Sequence, residues 1–147
     1  FMVIYYRLSG VFSVLGLFFN IIFVLAILSW IGGTVTLPGV AALLLTVGMA
    51  VDANIIINER IREELRAGKT PRSAVQAGYD NALSAIVDAN VTTAIAGLVL
   101  WQFGTGPIQN FAALLLIGVV TTVVSAVFIT RLFFDMWVSR GPEKLSI

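Results

Sequence analysis

The chain has 147 residues, a formal net charge of +1, 59% hydrophobic residues and only 12% charged ones. A soluble domain carries about twice that charged fraction, and the mean hydropathy of +0.98 points the same way. With neither cysteine nor histidine, disulfides, thiol or imidazole nucleophiles and the common transition-metal sites are excluded, and the near-neutral charge gives no draw to nucleic acid.

The apolar stretches are too long for a soluble core. Three exceed the roughly 18 residues that mark a membrane-spanning helix, and a fourth comes close. The N-terminal Phe1 does not follow a start methionine, and residues 1–7 are apolar up to Tyr5, Tyr6 and Arg7. They lack the basic start of a signal peptide and are expected to be the end of a truncated spanning helix. A first complete span is predicted over residues 11–30, almost wholly apolar and ended by Gly32 and Gly33. The second runs over 38–58, with Pro38 in a first turn that needs no N–H from it. Residues 59–80 form the charged loop. It opens as a helical continuation with Glu59 and Glu63 three residues before Arg62 and Arg66, and ends in a short helix that starts at Thr70-Pro71 and stops near Gly78. A third span covers 81–101, Gly104, Gly106 and Pro107 break the chain, and a fourth covers 109–134. Residues 8–140 thus make one transmembrane bundle and 141–147 a tail.

The nine basic residues fix the orientation. Arg7, Arg60, Arg62, Arg66, Lys69, Arg72, Arg131, Arg140 and Lys144 all fall at one end of the bundle, and the loops at the other end have none. By the positive-inside rule the 59–80 loop and the C-terminus are cytoplasmic. Trp30 and Trp101 then mark the outer interface, and Tyr5, Tyr6, Tyr79 and Trp137 the inner one.

Polar groups inside the spans are the candidates for function. Asp52 is predicted roughly 8–10 Å inside the cytoplasmic end of its helix, too deep for its short side chain to reach water. An ionised carboxylate there costs on the order of 3 kcal/mol. It needs a partner, a water-filled cavity or a proton, and a membrane carboxyl that can gain and lose a proton is the minimal relay element. The alternative is a structural hydrogen bond to a neighbouring helix. Gly48, four residues earlier, offers a surface for close helix approach. Asn54 and Asn58 share another face, and Glu59 lies on the face of Asp52 at the rim. The third span carries a polar stripe that includes Asn81, Ser84, Asp88 and Thr92, widened by Asn90. It serves either function or interhelical bonding. In the fourth span Gly118, Thr121, Thr122 and Ser125 form a small-residue pattern suited to packing. There is no P-loop and no residue set for covalent catalysis. An energy source, if one is used, must be an ion gradient, worth about 2.3 kcal/mol per charge per 100 mV.

The run from Val51 through Asp52, Ala53, Asn54 and Asn58 to Glu59, Arg60 and Glu64 resembles the fourth transmembrane helix of the SecD family. Asp88-Ala89-Asn90-Val91-Thr92-Thr93, Phe103-Gly104-Thr105-Gly106-Pro107-Ile108 and the final Lys144-Leu145-Ser146-Ile147 resemble it as well. The likeness covers nearly the whole chain, and Asn54, Asn58 and Glu59 favour SecD over the related SecF. It implies an all-α transmembrane bundle of four complete spans plus the end of a fifth, one half of a pseudo-symmetric transmembrane domain of the resistance–nodulation–division superfamily. It further implies proton-driven assistance to protein export across a bacterial inner membrane, with SecF, the SecYEG channel, YajC, YidC and the preprotein as partners in the lipid bilayer. Asp52 is then the proton-pathway residue, its counter-charges supplied by SecF, with Asn54, Asn58, Glu59, Asp88, Asn90 and Thr92 in support. No cofactor or metal is implied. The coupling ion is H⁺, with Na⁺ open because a carboxylate with Asn neighbours binds either. Another superfamily exporter and a passive translocon scaffold are the competing readings.

Overall fold

The computed structural model describes residues 1–141 together with Leu145 and Ile147. Lys144 and Ser146, used above for orientation and resemblance, lie outside the described residues, as does most of the expected 141–147 tail. The described residues are helical apart from short connections and carry no strand. In chain order they are α1 (Met2–Trp30), α2 (Leu37–Arg66), α3 (Pro71–Phe103), α4 (Pro107–Val124), a π-helical turn (Ser125–Ile129) and α5 (Thr130–Val138). The last three follow one another without a break, so four long apolar rods result, each long enough to cross a membrane.

The starts of these rods follow local rules. Thr36 caps α2 by accepting from the Gly39 N–H at 3.3 Å, with Pro38 in the first turn. Thr70 caps α3 in the same way from Ser73, with Pro71 first in the helix. Proline suits such positions because the first N–H groups have no intrahelical partner. Near the N-terminus the backbone turns sharply at Arg7, whose φ of 51° lies in the left-handed region. The turn brings the Met2 carbonyl against Gly10, where a side chain would collide with it.

The charged segment 59–80 differs from expectation. α2 runs on to Arg66 and α3 begins at Pro71, so only a four-residue turn separates them. There is no separate short helix and no stop at Gly78. At 30 and 33 residues, α2 and α3 are about 45 and 50 Å long, well beyond a hydrocarbon core of about 30 Å. Their ends therefore project from the membrane as a helical hairpin. Gly78 is what lets the two rods touch: a Cβ there would sit 2.5 Å from Ile61 Cγ1 and 2.8 Å from the Ile61 backbone. A glycine that reads as a stop in sequence is here a contact point. Asn81 donates to Glu64 across the hairpin at 2.7 Å, and Lys69 pairs with Glu64. Glu59 pairs with Arg62 at 3.3 Å as its spacing suggests, whereas Glu63 pairs with Arg60 at 2.8 Å rather than with Arg66.

α2, α3 and α4 pack against one another, and α1 lies along α2, α4, the π turn and α5. One apolar cluster sits at the basic end, around Ile57, Ile61, Val75, Tyr79, Ile86 and Phe134. A smaller one, with Val24, Leu28, Ala42 and Leu114, sits at the other end. Tyr6 and Tyr79, expected at the lipid interface, are instead buried at 2% and 3% exposure. Tyr6 donates to Glu59, and the ring of Tyr79 meets Phe134 edge-on. Only their positions at the basic end agree with an interfacial belt.

Candidate functional site

Between the two apolar clusters the bundle is held by polar groups. The buried face of α1 carries Ser9, Ser13, Gly16 and Asn20 at spacings of three and four residues. Sequence reasoning missed this stripe because it treated the first span as uniformly apolar; the three-four spacing of its small polar residues is the signal. Ser9 Oγ donates to Asn58 Oδ1 at 2.7 Å, and Asn58 Nδ2 donates to Ser13 Oγ at 3.0 Å. Asn20 donates to Thr122 on α4 at 3.3 Å. Ser125 donates to the carbonyl of Gly16, and Thr130 donates back five residues to the Ser125 carbonyl at 3.2 Å, in the register of the π turn. Gly16 has to be small here, because a side chain would collide with Thr130 Oγ1. In hydrocarbon no water competes for these groups, so pairing inside the protein is what satisfies them.

This seam takes Asn58 and Glu59 away from the role expected of them. Asn58 is fully buried and both ends of its amide are engaged by α1. Glu59 accepts from Tyr6 at 2.8 Å and from Arg62 at 3.3 Å. Both are bound to structural partners near the rim. Thr92 likewise turns back on its own helix and donates to the Asp88 carbonyl at 2.9 Å.

Asp52 is placed otherwise. It is exposed on α2, off the face that carries Asn58, and among the described residues its carboxylate has no hydrogen bond and no ion pair. Counting from Leu37, it lies about 22 Å along a rod of about 45 Å, so it is near the middle of the helix. Beside it is a hollow of about 50 Å³, lined by Met49, Ala53 and Ile56 of α2 and Ile86, Ala89 and Asn90 of α3. That is room for a water or two, given a polar lining. Of the supporting residues expected from sequence, only Asn90 shares this hollow with Asp52. Asn90 is buried, donates to the Ile86 carbonyl at 2.7 Å, and leaves its Oδ1 without a partner. Asn54 has the same arrangement, donating to the Ala50 carbonyl at 2.9 Å with Oδ1 unpaired, but it does not line the hollow. Asp88 is exposed on α3. No cluster of acidic side chains fit to hold a metal ion occurs among the described residues.

The two glycines expected at helix contacts diverge. Gly118 of α4 faces Thr46 of α2, where a Cβ would lie 2.6 Å from Thr46 Cγ2. Gly48 meets no neighbouring element: among the described residues nothing beyond its own stretch of helix backbone lies within 4 Å of where its Cβ would be. The expectation of close approach at Gly48 is corrected for this chain, because the face of α2 that carries it is uncovered. Gly48 and Asp52, one helical turn apart, lie on the same open face.

Four apolar rods, a polar seam inside and the mid-helix carboxylate of Asp52 on an outer face beside a hollow define a multi-pass membrane domain. Residues 1–140 match the family described as "Protein export membrane protein SecD/SecF, C-terminal", and the chain belongs to that family. It is 55% identical over its whole length to the "Protein translocase subunit SecD" of Syntrophobacter fumaroxidans, covering 28% of that protein. With the SecD subunit of Rhodothermus marinus it shares 52% identity, again over the whole chain and 24% of the relative. The crystal structure of SecDF, a translocon-associated membrane protein from Thermus thermophilus, superposes with a TM-score of 0.90 at 41% identity, over 95% of this chain and 20% of that one. The chain therefore spans about a quarter of the length of the curated relatives it matches.

Proposed function

We propose that this chain is a transmembrane half of a SecD-type translocase subunit in a bacterial inner membrane, and that proton transfer at Asp52 couples an ion gradient to protein export. The observation that carries the reading is the placement of Asp52: mid-helix, beside a water-sized hollow, on an open face with no partner among the described residues. An ionisable group within a membrane span that stabilises nothing in its own fold is expected to serve an ion path. Its counter-charge must then come from a second subunit lying over the Gly48–Asp52 face. SecF is the natural candidate, working with SecYEG and, more peripherally, YajC and YidC on an exported preprotein. The hairpin 59–80 and the C-terminus lie on the cytoplasmic side, on the positive-inside rule.

The test is export of a reporter protein from membrane vesicles that carry the full-length subunit with Asp52→Asn. The reading expects the gradient-stimulated part of export to be lost and the basal part to remain. Gradient-stimulated export at the normal rate would overturn it and favour a passive scaffold. Replacing Na⁺ by K⁺ at fixed pH separates the two coupling ions, since a proton-coupled path keeps its rate. A substrate other than unfolded protein moving with the gradient would favour another type of exporter.

A further inference from the structure

At the basic end of the bundle, α3 and α5 diverge around a hollow of about 410 Å³ lined by Arg72, Val75, Gln76, Arg131, Asp135, Val138 and Ser139. None of these residues belongs to the Asp52 site. Two guanidinium groups and one amide face it as donors. Arg72 is exposed and has no carboxylate partner among the described residues. Arg131 is held from behind, with its guanidinium 5.6 Å from the centre of the Tyr79 ring. Its one acidic neighbour, Asp135, stands at 3.9 Å and is itself 60% exposed, a contact worth little in water. The two arginines and Asp135 leave the hollow with one net positive charge, matched to a ligand with one negative charge.

Depth then selects the ligand. On α3, Gln76 and Arg72 lie about 40 and 46 Å from Phe103. Along the last rod, Arg131 and Ser139 lie about 36 and 48 Å from Pro107 by the same rise per residue. The hydrocarbon core is about 30 Å thick and the bilayer with its headgroups about 40–45 Å. If the outer helix ends sit in one headgroup layer, the hollow lies at the level of the other. Val75 and Val138 give it an apolar wall, and arginine forks suit phosphate oxygens. We propose that this hollow binds the phosphodiester of a singly charged anionic glycerophospholipid, of the phosphatidylglycerol type, from the leaflet at the basic end. A lipid held there tethers α3 to α5 and fixes the depth of the projecting hairpin.

The experiment uses the full-length subunit in its purified complex, titrated with phosphatidylglycerol or phosphatidylcholine and read by native mass spectrometry. Tight retention is expected for phosphatidylglycerol and not for phosphatidylcholine. Arg72→Gln is expected to weaken phosphatidylglycerol about five-fold, and Arg72→Gln with Arg131→Gln about twenty-five-fold, from the usual strength of a basic side chain near an anionic surface. Arg60→Gln, on α2 outside the hollow, is expected to change it by less than about two-fold. Arg72→Gln keeps the test sound if loss of Arg131 disturbs its packing on Tyr79. Equal retention of the two lipids, or equal weakening by Arg60→Gln, overturns the proposal in favour of diffuse charge. Displacement of the lipid by millimolar inorganic phosphate overturns it in favour of a soluble phosphate ligand. Unchanged lipid binding with loss of the partner subunit overturns it in favour of an acidic protein surface.

Discussion

Gly118 of α4 lies so close to Thr46 of α2 that one added methyl group would stand 2.6 Å from Thr46 Cγ2. Thr46 is itself buried and tied to the Ala42 carbonyl at 2.9 Å, so it has little room to yield. Gly48, two residues further along α2, meets no neighbouring element among the described residues. The same residue type on the same helix pair marks an internal seam in one case and an open surface in the other.

Gly118→Val is therefore expected to destabilise the domain by about 1–3 kcal/mol, the range for overpacking a filled site. Gly48→Val should leave the isolated subunit within about 0.5 kcal/mol of wild type, as for a surface change, and weaken only its association with a covering partner. Unfolding of the purified subunit, with co-purification of the partner alongside, separates the two effects. Equal loss of subunit stability in both variants would contradict the open face.

Asn58 joins α2 to two serines of α1. Asn58→Leu is expected to cost about 1–3 kcal/mol, since Ser9 and Ser13 lose partners in a dry interior. A double-mutant cycle between Ser9→Ala and Asn58→Ala should give a coupling of about 0.6 kcal/mol and not above about 1.7, the range for interhelical bonds in membranes. A coupling of zero would mean that the bond adds nothing to the fold.

Asp52→Asn should leave the stability of the purified subunit within about 0.5 kcal/mol of wild type, because the carboxylate has no partner among the described residues. The same unfolding assay measures it. A clear loss of stability would show a structural bond within the chain and remove the motive for an ion-coupling role.

Gly78→Val would drive a side chain into Ile61 and part the projecting ends of α2 and α3. The expected loss is about 1–3 kcal/mol, concentrated in the hairpin. Hydrogen exchange should rise over 59–80 while the rest of the bundle keeps its protection. Unchanged exchange over that segment would argue against the backbone contact at Ile61.

Much of the fold was legible in the chain. Apolar runs longer than a bilayer core permit only helices, because a backbone in lipid must satisfy its own hydrogen bonds. Pro38, and Thr70 with Pro71, signalled their helix starts correctly because such signals act within one turn, whereas the Thr36 cap was seen only in the structure. The charged hairpin was less legible. Gly68 and Gly78 look alike in sequence, yet Gly68 (φ 87°) sits in the turn that ends α2 and Gly78 sits inside α3 against Ile61.

The candidate site divides along the same line. By itself the sequence determined that Asp52 is a carboxyl within a membrane helix, since hydropathy and charge are sums over neighbouring residues. Which polar residues stand beside it was decided by tertiary structure alone. Asn54, Asn58, Glu59, Asp88, Asn90 and Thr92 were all candidates in the sequence. Packing turned Asn58 and Glu59 toward α1, left Thr92 bonded to its own helix, and set only Asn90 of α3 at the hollow beside Asp52. Helical periodicity gives the face of a residue on its own rod. The rotation of one rod against the next is fixed by contacts such as Gly118 on Thr46 and Gly78 on Ile61, which join residues far apart in the chain.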